Sequence, residues 1–198
     1  MLKILGAGLP RTGTATLCEA LRILGYDARH HEPERLPLFP VGQYGDVGPM
    51  LCGAFDGIDA ITDCPAALYW RDIYAMFRCK VILTVRDTDC WWESIKRHAN
   101  LIRISDDVEH LRYTEALHSI LFGVPAPCEF WYKRKFAEHA NMVKASIPRR
   151  QLLVMDIVDG DKWGKLCPFL GVDEPDTEWP WENRRTDAVD ATDETAAI

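Results

Sequence analysis

The sequence predicts an α/β fold, a three-layer sandwich with a central parallel sheet. Segments typical of strands and helices alternate along the chain, as in parallel sheets whose crossover helices cover both faces. Residues 80–85 (Lys-Val-Ile-Leu-Thr-Val) are almost continuously apolar, as a central parallel strand should be. A glycine-containing turn at residues 6–13 follows one apolar run and precedes a helical pattern, which indicates a β-turn-α unit.

The first elements follow from local patterns. Residues 2–5 form a short apolar run typical of a buried strand. Apolar side chains at helical spacing predict a helix over residues 14–24, and Gly25 suits its left-handed end. Residues 26–31 are expected to form the second strand. Residues 33–57 contain four prolines and five glycines, which favours an irregular loop of functional use over a helix.

The next predicted elements surround the central strand. Residues 58–62 are typical of a strand, and Pro65 suits the first turn of a helix. After residues 80–85, Asp89 is expected to cap a helix that extends through His98. The later elements are expected to be helices over 108–122 and 129–146, a strand over 151–155, and a helix over 162–170.

Composition predicts one domain over residues 1–185 and an acidic, disordered tail over residues 186–198. Hydrophobic residues make up 47% of the 198 residues and charged residues 27%, as in globular domains. Residues 173–198 carry nine acidic side chains against two arginines, which accounts for the whole net charge of −7. The chain upstream is therefore neutral, so a bound anion meets no general repulsion there.

Charge, apolar runs and cysteines indicate a cytoplasmic protein. We expect no nucleic-acid partner, because there is no basic stripe, and no membrane partner, because no apolar run approaches ~20 residues. Seven cysteines without a C-x-x-C pair suit reduced thiols better than disulfides or a zinc site. No metal site and no oligomer are predicted.

The glycine turn before the first helix has the features of an anion site. The amino end of a helix presents unpaired N–H groups and a partial positive charge, and glycines let an anion approach the backbone.

Three known patterns of glycine loop can be compared with this turn. A Walker A loop is disfavoured because Thr14 and Ala15 stand where lysine and serine or threonine are needed. A dinucleotide fingerprint is weakened because Arg11 replaces its third glycine, although Asp27 lies near the position of a ribose-binding acid.

A second pair of residues supports the third pattern, Pro-Arg-Thr-Gly-Thr at residues 10–14. Arg86 follows the predicted central strand, and Ser94 lies eight residues later in the next helix. Ligands of open parallel sheets bind at the carboxyl ends of the strands. We therefore expect Arg86 and Ser94 to converge on one phosphate close to the glycine turn.

These two motifs, in this order, resemble those of sulfotransferases that use 3′-phosphoadenosine 5′-phosphosulfate. Residues 63–70, 80–94 and 152–171, and Pro180 with Asn183, also look like a family of small sulfotransferases, so the resemblance covers most of residues 1–185. It implies a P-loop-NTPase-like sulfotransferase fold.

The resemblance also implies residue roles. Arg11 takes the place often held by lysine and contacts the sulfate and the bridging oxygen, and Arg86 and Ser94 hold the 3′-phosphate. Arg184 and Arg185 correspond to a basic carboxyl-terminal segment that reaches the same phosphate. The loop residues implied in cofactor binding are Pro10, Arg11, Thr12, Gly13, Thr14, Ala15 and Thr16.

The attacking group needs a proton acceptor, and Asp63 is the first candidate. It ends a strand expected beside the cofactor strand, where related cytosolic sulfotransferases have a histidine base. Its alternative role is a cap for the helix near Pro65. His30, His31 and Glu32 are the other candidate bases.

The expected function is metal-free, in-line transfer of a sulfuryl group from 3′-phosphoadenosine 5′-phosphosulfate to a hydroxyl or amine of a small acceptor. The product cofactor is adenosine 3′,5′-bisphosphate. Two alternatives stay open at this point: an NAD(P)-dependent oxidoreductase that uses Gly6, Gly8 and Asp27, and a non-catalytic nucleotide-binding protein of the same fold.

Overall fold

A computed structural model describes residues 1–36, 38, 51 and 53–182. Its strands are β1 (Ile4–Gly6), β2 (Ala28–His30), β3 (Ala60–Thr62), β4 (Lys80–Thr84) and β5 (Leu152–Met155). Its α-helices are α1 (Thr14–Ile23), α2 (Trp70–Phe77), α3 (Thr88–Arg103), α4 (Val108–Phe122), α5 (Glu129–Ser146) and α6 (Trp163–Leu170). A 3₁₀ turn at Arg149–Gln151 precedes β5.

The strands form a parallel sheet in the order β2-β3-β1-β4-β5. β1 lies in the middle, with Ile4 opposite Ala60 of β3 on one side and Lys80 of β4 on the other. The carboxyl ends of β1 and β4 are therefore neighbours, and the loops that follow them meet. This arrangement confirms the predicted α/β fold with a parallel sheet.

Alternate side chains of the strands enter two separate cores, one on each face of the sheet. Leu5, Val81 and Leu83 pack with Trp70 and Ile73 of α2 and with the carboxyl end of α5. Their neighbours Ile4 and Ile82 point the other way and pack with side chains of α1 and α6. Helices thus cover both faces, as the three-layer prediction requires.

A third core joins α3, α4 and α5 beyond the carboxyl ends of the strands. Trp91 stacks on Phe136 with ring centroids 4.1 Å apart, and Phe122 stacks on Tyr132 at the same distance. Leu9 from the glycine turn belongs to this core. The indole N–H of Trp91 also donates to the carbonyl of Pro10 at 2.9 Å. These contacts therefore hold the glycine turn against the third core.

Two local predictions are wrong. Pro65 does not begin a helix, because residues 64–68 form a turn and α2 begins only at Trp70. The cap of α3 is Asp87, whose carboxylate accepts from the backbone N–H groups of Asp89 and Cys90 at 3.1 and 2.9 Å. Asp89 already lies in the first turn, where its charge suits the helix dipole.

Other predictions are confirmed or fall outside the described residues. The predicted ranges of α4 and α5 agree with the structure, and α1 ends before Gly25, whose φ is +85°. Most of the predicted loop at 33–57 and the predicted tail at 186–198 lie outside the described residues, so both stay predictions, but residues 51, 53 and 54 within that loop are helical. Among the helices that can be described, none is long and apolar enough to cross a membrane.

A buried polar pair links α4 and α5 inside the third core. Nδ1 of His118 and the hydroxyl of Tyr132 share a hydrogen bond of 2.9 Å, and both residues are almost fully enclosed. Burial, followed by the charge of His98, lowers the pKa of His118 to about 4. The native protein therefore keeps this ring neutral over a pH range in which the unfolded chain binds a proton.

This difference predicts acid sensitivity. As pH falls from about 6.5 to about 4, the unfolded state binds more protons than the native state, so the free energy of unfolding should fall by about 3 kcal/mol through His118 alone. Denaturant unfolding of the native sequence and of His118→Asn at pH 7, 5.5 and 4 measures this contribution. The stability difference between the two proteins should shrink toward low pH, and a constant difference would contradict the assignment.

Candidate active site

The glycine turn after β1 lies against the end of β4. The N–H of Ala7 donates to the carbonyl of Ile82 at 2.8 Å, and the hydroxyls of Thr12 and Thr84 share a hydrogen bond of 2.6 Å. The Thr12 hydroxyl also donates to the carbonyl of Leu9 at 2.7 Å. Nε2 of the half-buried His139 donates to the carbonyl of Ala7 at 2.7 Å. These bonds fix the path of the turn.

Two glycines make this path possible. A Cβ at Gly8 would overlap the hydroxyl oxygen of Thr84, so only glycine allows the turn to approach β4 this closely. Gly13 has a φ of +92°, and a Cβ there would lie 3.1 Å from the Cβ of Ile157. The glycine pattern in the sequence thus reflects close packing as well as access for a ligand.

The amino end of α1 offers free backbone donors. The N–H of Leu17 bonds to the carbonyl of Gly13, so the N–H groups of residues 14–16 precede the first intrahelical bond. Within the described part of the chain, no side chain caps this helix. The hydroxyl of Thr14 lies 3.3 Å from Nε2 of His30, and that of Thr16 accepts from the N–H of Glu182 at 3.1 Å. The backbone, with its positive dipole end, is therefore the part of this turn suited to an anion.

Arg11 and Arg86 bring two cations to this turn. Nη1 of Arg86 donates to the carbonyl of Arg11 at 3.3 Å, and Nε of Arg11 donates to the hydroxyl of Ser94 at 3.2 Å. Burial, followed by the charge of Arg86, lowers the pKa of Arg11. Nε of Arg86 is buried and has no hydrogen-bond partner among the described residues. Two partly desolvated, mutually repelling cations with spare donors form a site that an anion would stabilise.

Asp63 and His30 form a pair at the ends of β3 and β2. Oδ2 of Asp63 lies 3.1 Å from Nε2 of His30, and Oδ1 accepts from the N–H of Cys64 at 2.8 Å. Asp63 has a left-handed backbone with a φ of +70°. Because α2 begins seven residues later, Asp63 does not cap a helix. The structure thus brings two of the candidate bases into direct contact.

The third candidate base, His31, is engaged elsewhere. Its Nδ1 donates to the carbonyl of Cys64 at 2.8 Å, and its backbone is left-handed with a φ of +55°. The ring therefore fixes the segment that carries Asp63.

The sequence analysis missed His98, which lies near the same site. It follows Ser94 by one helical turn of α3 and is half-buried. Burial lowers the pKa of His98, and the charges of Arg11 and His110 act in the same direction. His98 could have been found from its spacing of four residues from Ser94, because positions i and i+4 share a helix face.

The remaining predicted residues are distributed as follows. Ala15 lies in the first turn of α1. Asp27 precedes β2 and pairs with Arg29 at 2.8 Å, so it lies at the amino edge of the sheet, opposite the glycine turn. Arg184 and Arg185 lie outside the described residues. In the described chain, no cluster of three or more His, Cys, Asp or Glu residues could hold a metal ion.

The fold and this edge of the sheet define an α/β protein with a parallel sheet and a glycine turn before its first helix. Comparison with protein families identifies it further: a sulfotransferase domain model matches residues 3–37 and 49–188, so the chain belongs to this sulfotransferase family. Protein M of the Ava biosynthesis cluster of Aspergillus versicolor is 26% identical over an alignment 209 residues long, and the match covers 90% of this chain and 80% of that protein.

Two solved structures resemble this chain. A sulfotransferase from Alicyclobacillus acidocaldarius matches with a TM-score of 0.54 and 18% identity over 92% of this chain and 87% of its own. Mouse sulfotransferase SULT7A1, complexed with PAP, has a TM-score of 0.49 and 18% identity over 88% of this chain and 61% of its own. The first of these likenesses supports a P-loop-NTPase-like sulfotransferase fold for this chain.

Proposed function

We propose that this sulfotransferase-family protein moves a sulfuryl group from 3′-phosphoadenosine 5′-phosphosulfate to a hydroxyl or amine of a small acceptor. The family supports sulfuryl transfer in general, whereas the donor and the acceptor class are our proposal. The observation that most supports the proposal is the contact between Arg86 and the carbonyl of Arg11, together with the lack of a hydrogen-bond partner for Nε of Arg86 among the described residues. This contact supports a site in which the turn and Arg86 bind the same bisphosphorylated nucleoside.

Each end of the nucleotide has its own group of residues in this proposal. Residues 10–16 hold the 5′-phosphosulfate through backbone N–H groups at the start of α1. Arg86 and Ser94 hold the 3′-phosphate. The hydrogen bonds between Thr16 and Glu182 support a contribution from Arg184 and Arg185, because these arginines are only two and three residues further along the chain.

Arg11 stabilises the charge that develops during transfer. The attacking oxygen or nitrogen forms a bond to sulfur while the bond from sulfur to the bridging phosphate oxygen breaks. Charge then accumulates on that leaving oxygen, where fixed N–H donors and a guanidinium are most effective. Ser94 holds Nε of Arg11 and so fixes the direction of this cation.

Asp63 accepts the proton of the acceptor. A carboxylate in contact with His30 is held in one orientation by that ring and by the N–H of Cys64. The side chain of Asp63 is 13% exposed, so little water competes for it. The contact with His30 supports a catalytic use for both groups, with Asp63 as the base and His30 as the residue that orients it.

The two alternatives differ in how they fit this geometry. The oxidoreductase alternative needs Asp27 at the nucleotide edge, and its position at the opposite edge argues against it. A non-catalytic nucleotide-binding protein would have no use for the pair of Asp63 and His30, so this alternative is less favoured. Metal-free transfer and a cytoplasmic location stay predictions.

Nucleotide binding is tested first, and sulfuryl transfer second. Adenosine 3′,5′-bisphosphate at 100 times its dissociation constant should stabilise the protein by about 2.7 kcal/mol, measured by thermal unfolding. NAD at the same concentration is the control and should have little effect. Labelled donor offered with alcohols, phenols, amines and sugars should then yield a labelled product. Stabilisation by NAD instead would support the oxidoreductase, and binding without any transfer would support the non-catalytic alternative.

Arg86→Ala should weaken binding of adenosine 3′,5′-bisphosphate roughly 10- to 100-fold, because one or more charge-assisted hydrogen bonds are lost. Arg86→Lys keeps the positive charge without the forked donor geometry, so its affinity should lie between those of the native protein and Arg86→Ala. Isothermal titration calorimetry measures both. The matched control is Arg150→Ala, which removes an exposed arginine just before β5, at the opposite edge. Equal affinity of Arg86→Ala and the native protein would remove Arg86 from the site.

Asp63→Asn should lower kcat by about two to four orders of magnitude, because the acceptor proton loses its base. Its affinity for adenosine 3′,5′-bisphosphate should stay within about twofold, because asparagine keeps the shape of the side chain and the N–H donors of residues 10–16 are unchanged. Asp27→Asn makes the same chemical change at the other edge of the sheet and should leave both quantities unchanged. If Asp63→Asn turns over normally while His30→Asn does not, the base is the histidine.

A further inference from the structure

Tyr113 on α4 packs against the segment that carries the proposed base. Its ring meets the ring of His31 edge-on, with centroids 5.4 Å apart and planes at 89°. His31 in turn donates to the carbonyl of Cys64, the residue after Asp63. One aromatic contact and one hydrogen bond therefore connect Tyr113 to the Asp63 segment.

The hydroxyl of Tyr113 is buried and has no hydrogen-bond partner among the described residues. Two other buried side-chain atoms share this property. Nε of Arg86 is assigned to the proposed cofactor, and Nε1 of Trp179 lies in the core formed with α1 and α6. Of these three, Tyr113 is the residue that is linked through His31 to the segment carrying Asp63. An orphaned polar group lowers stability, which a bound oxygen would offset.

The protonation state of Tyr113 suits a donor role. Burial raises the pKa of this phenol, and the neighbouring groups Cys64, Asp63, Glu34 and Tyr69 act in the same direction. The hydroxyl thus stays protonated at neutral pH. A hydrogen bond donated to the attacking oxygen would make it a weaker nucleophile, which disfavours that oxygen as the target. The target of the Tyr113 hydroxyl is a neighbouring oxygen.

On the basis of the proposed function, we infer that Tyr113 is a specificity-determining residue whose hydroxyl donates to a second oxygen of the acceptor, next to the hydroxyl that is sulfated. The acceptor class is then a compound with two adjacent oxygens, such as a catechol or a vicinal diol. Asp63 takes the proton of one oxygen, and Tyr113 binds the other. Acceptors that lack the second oxygen would leave the phenol unpartnered.

Two pairs of probes test this inference: catechol against phenol, and cis-1,2-cyclohexanediol against cyclohexanol. For each pair that the native protein sulfates, the compound with two oxygens should have a KM about three- to tenfold lower than the compound with one. This is the usual range for one neutral hydrogen bond. In Tyr113→Phe this difference in KM should disappear. The kcat for the compound with two oxygens should stay within about twofold of the native value. The KM difference is the diagnostic quantity, because a merely structural role would affect both members of a pair equally.

Tyr74→Phe is the matched control. It removes a phenolic hydroxyl that donates to Oε1 of Gln151 at 2.8 Å, at the amino edge of the sheet, and should leave the preference intact. Binding of adenosine 3′,5′-bisphosphate is measured in parallel. Failure of the native protein to bind it overturns the proposed function. The same preference in native protein and Tyr113→Phe overturns the inference alone, as does absence of transfer to all four probes by a protein that binds the bisphosphate.

Discussion

The close contact between the glycine turn and the end of β4 determines the arrangement of the whole site. Thr84 fills the space where a side chain at position 8 would be, and its hydroxyl bonds to that of Thr12. Because Arg86 follows Thr84 by two residues, the same contact brings its guanidinium to the carbonyl of Arg11. A bulkier residue at position 8 would separate the two strands' loops and with them the two cations.

Backbone strain is concentrated at this edge of the sheet. Arg11, His31 and Asp63 all have positive φ values between +55° and +70° although none is glycine. Each follows the end of a different strand, and each contacts another segment: Arg11 bonds to Ser94, His31 to the carbonyl of Cys64, and Asp63 to His30. Left-handed backbone at non-glycine residues costs free energy, and it persists where surrounding contacts impose it. Here those contacts turn charged and polar side chains toward one region.

Local sequence patterns were sufficient for most of the fold. Helices α4 and α5 were predicted to the residue, because apolar spacing and the prolines between them are local signals. The proximity of Arg86 to the turn also followed from sequence, since neighbouring parallel strands end at one edge. The start of α2 was missed because Pro65 fits a helix start and a tight turn equally well by composition. The Asp63–His30 pair depends on strand register, which no local pattern encodes.

The double hydrogen bond of Thr16 has a mechanical consequence. Its hydroxyl holds both the N–H and the carbonyl of Glu182, 166 residues away in the sequence. The first turn of α1 and the chain around residue 182 are thereby latched together at one oxygen. A displacement of the chain at residue 182 would therefore be felt at the first turn of α1, next to the backbone N–H groups of the glycine turn.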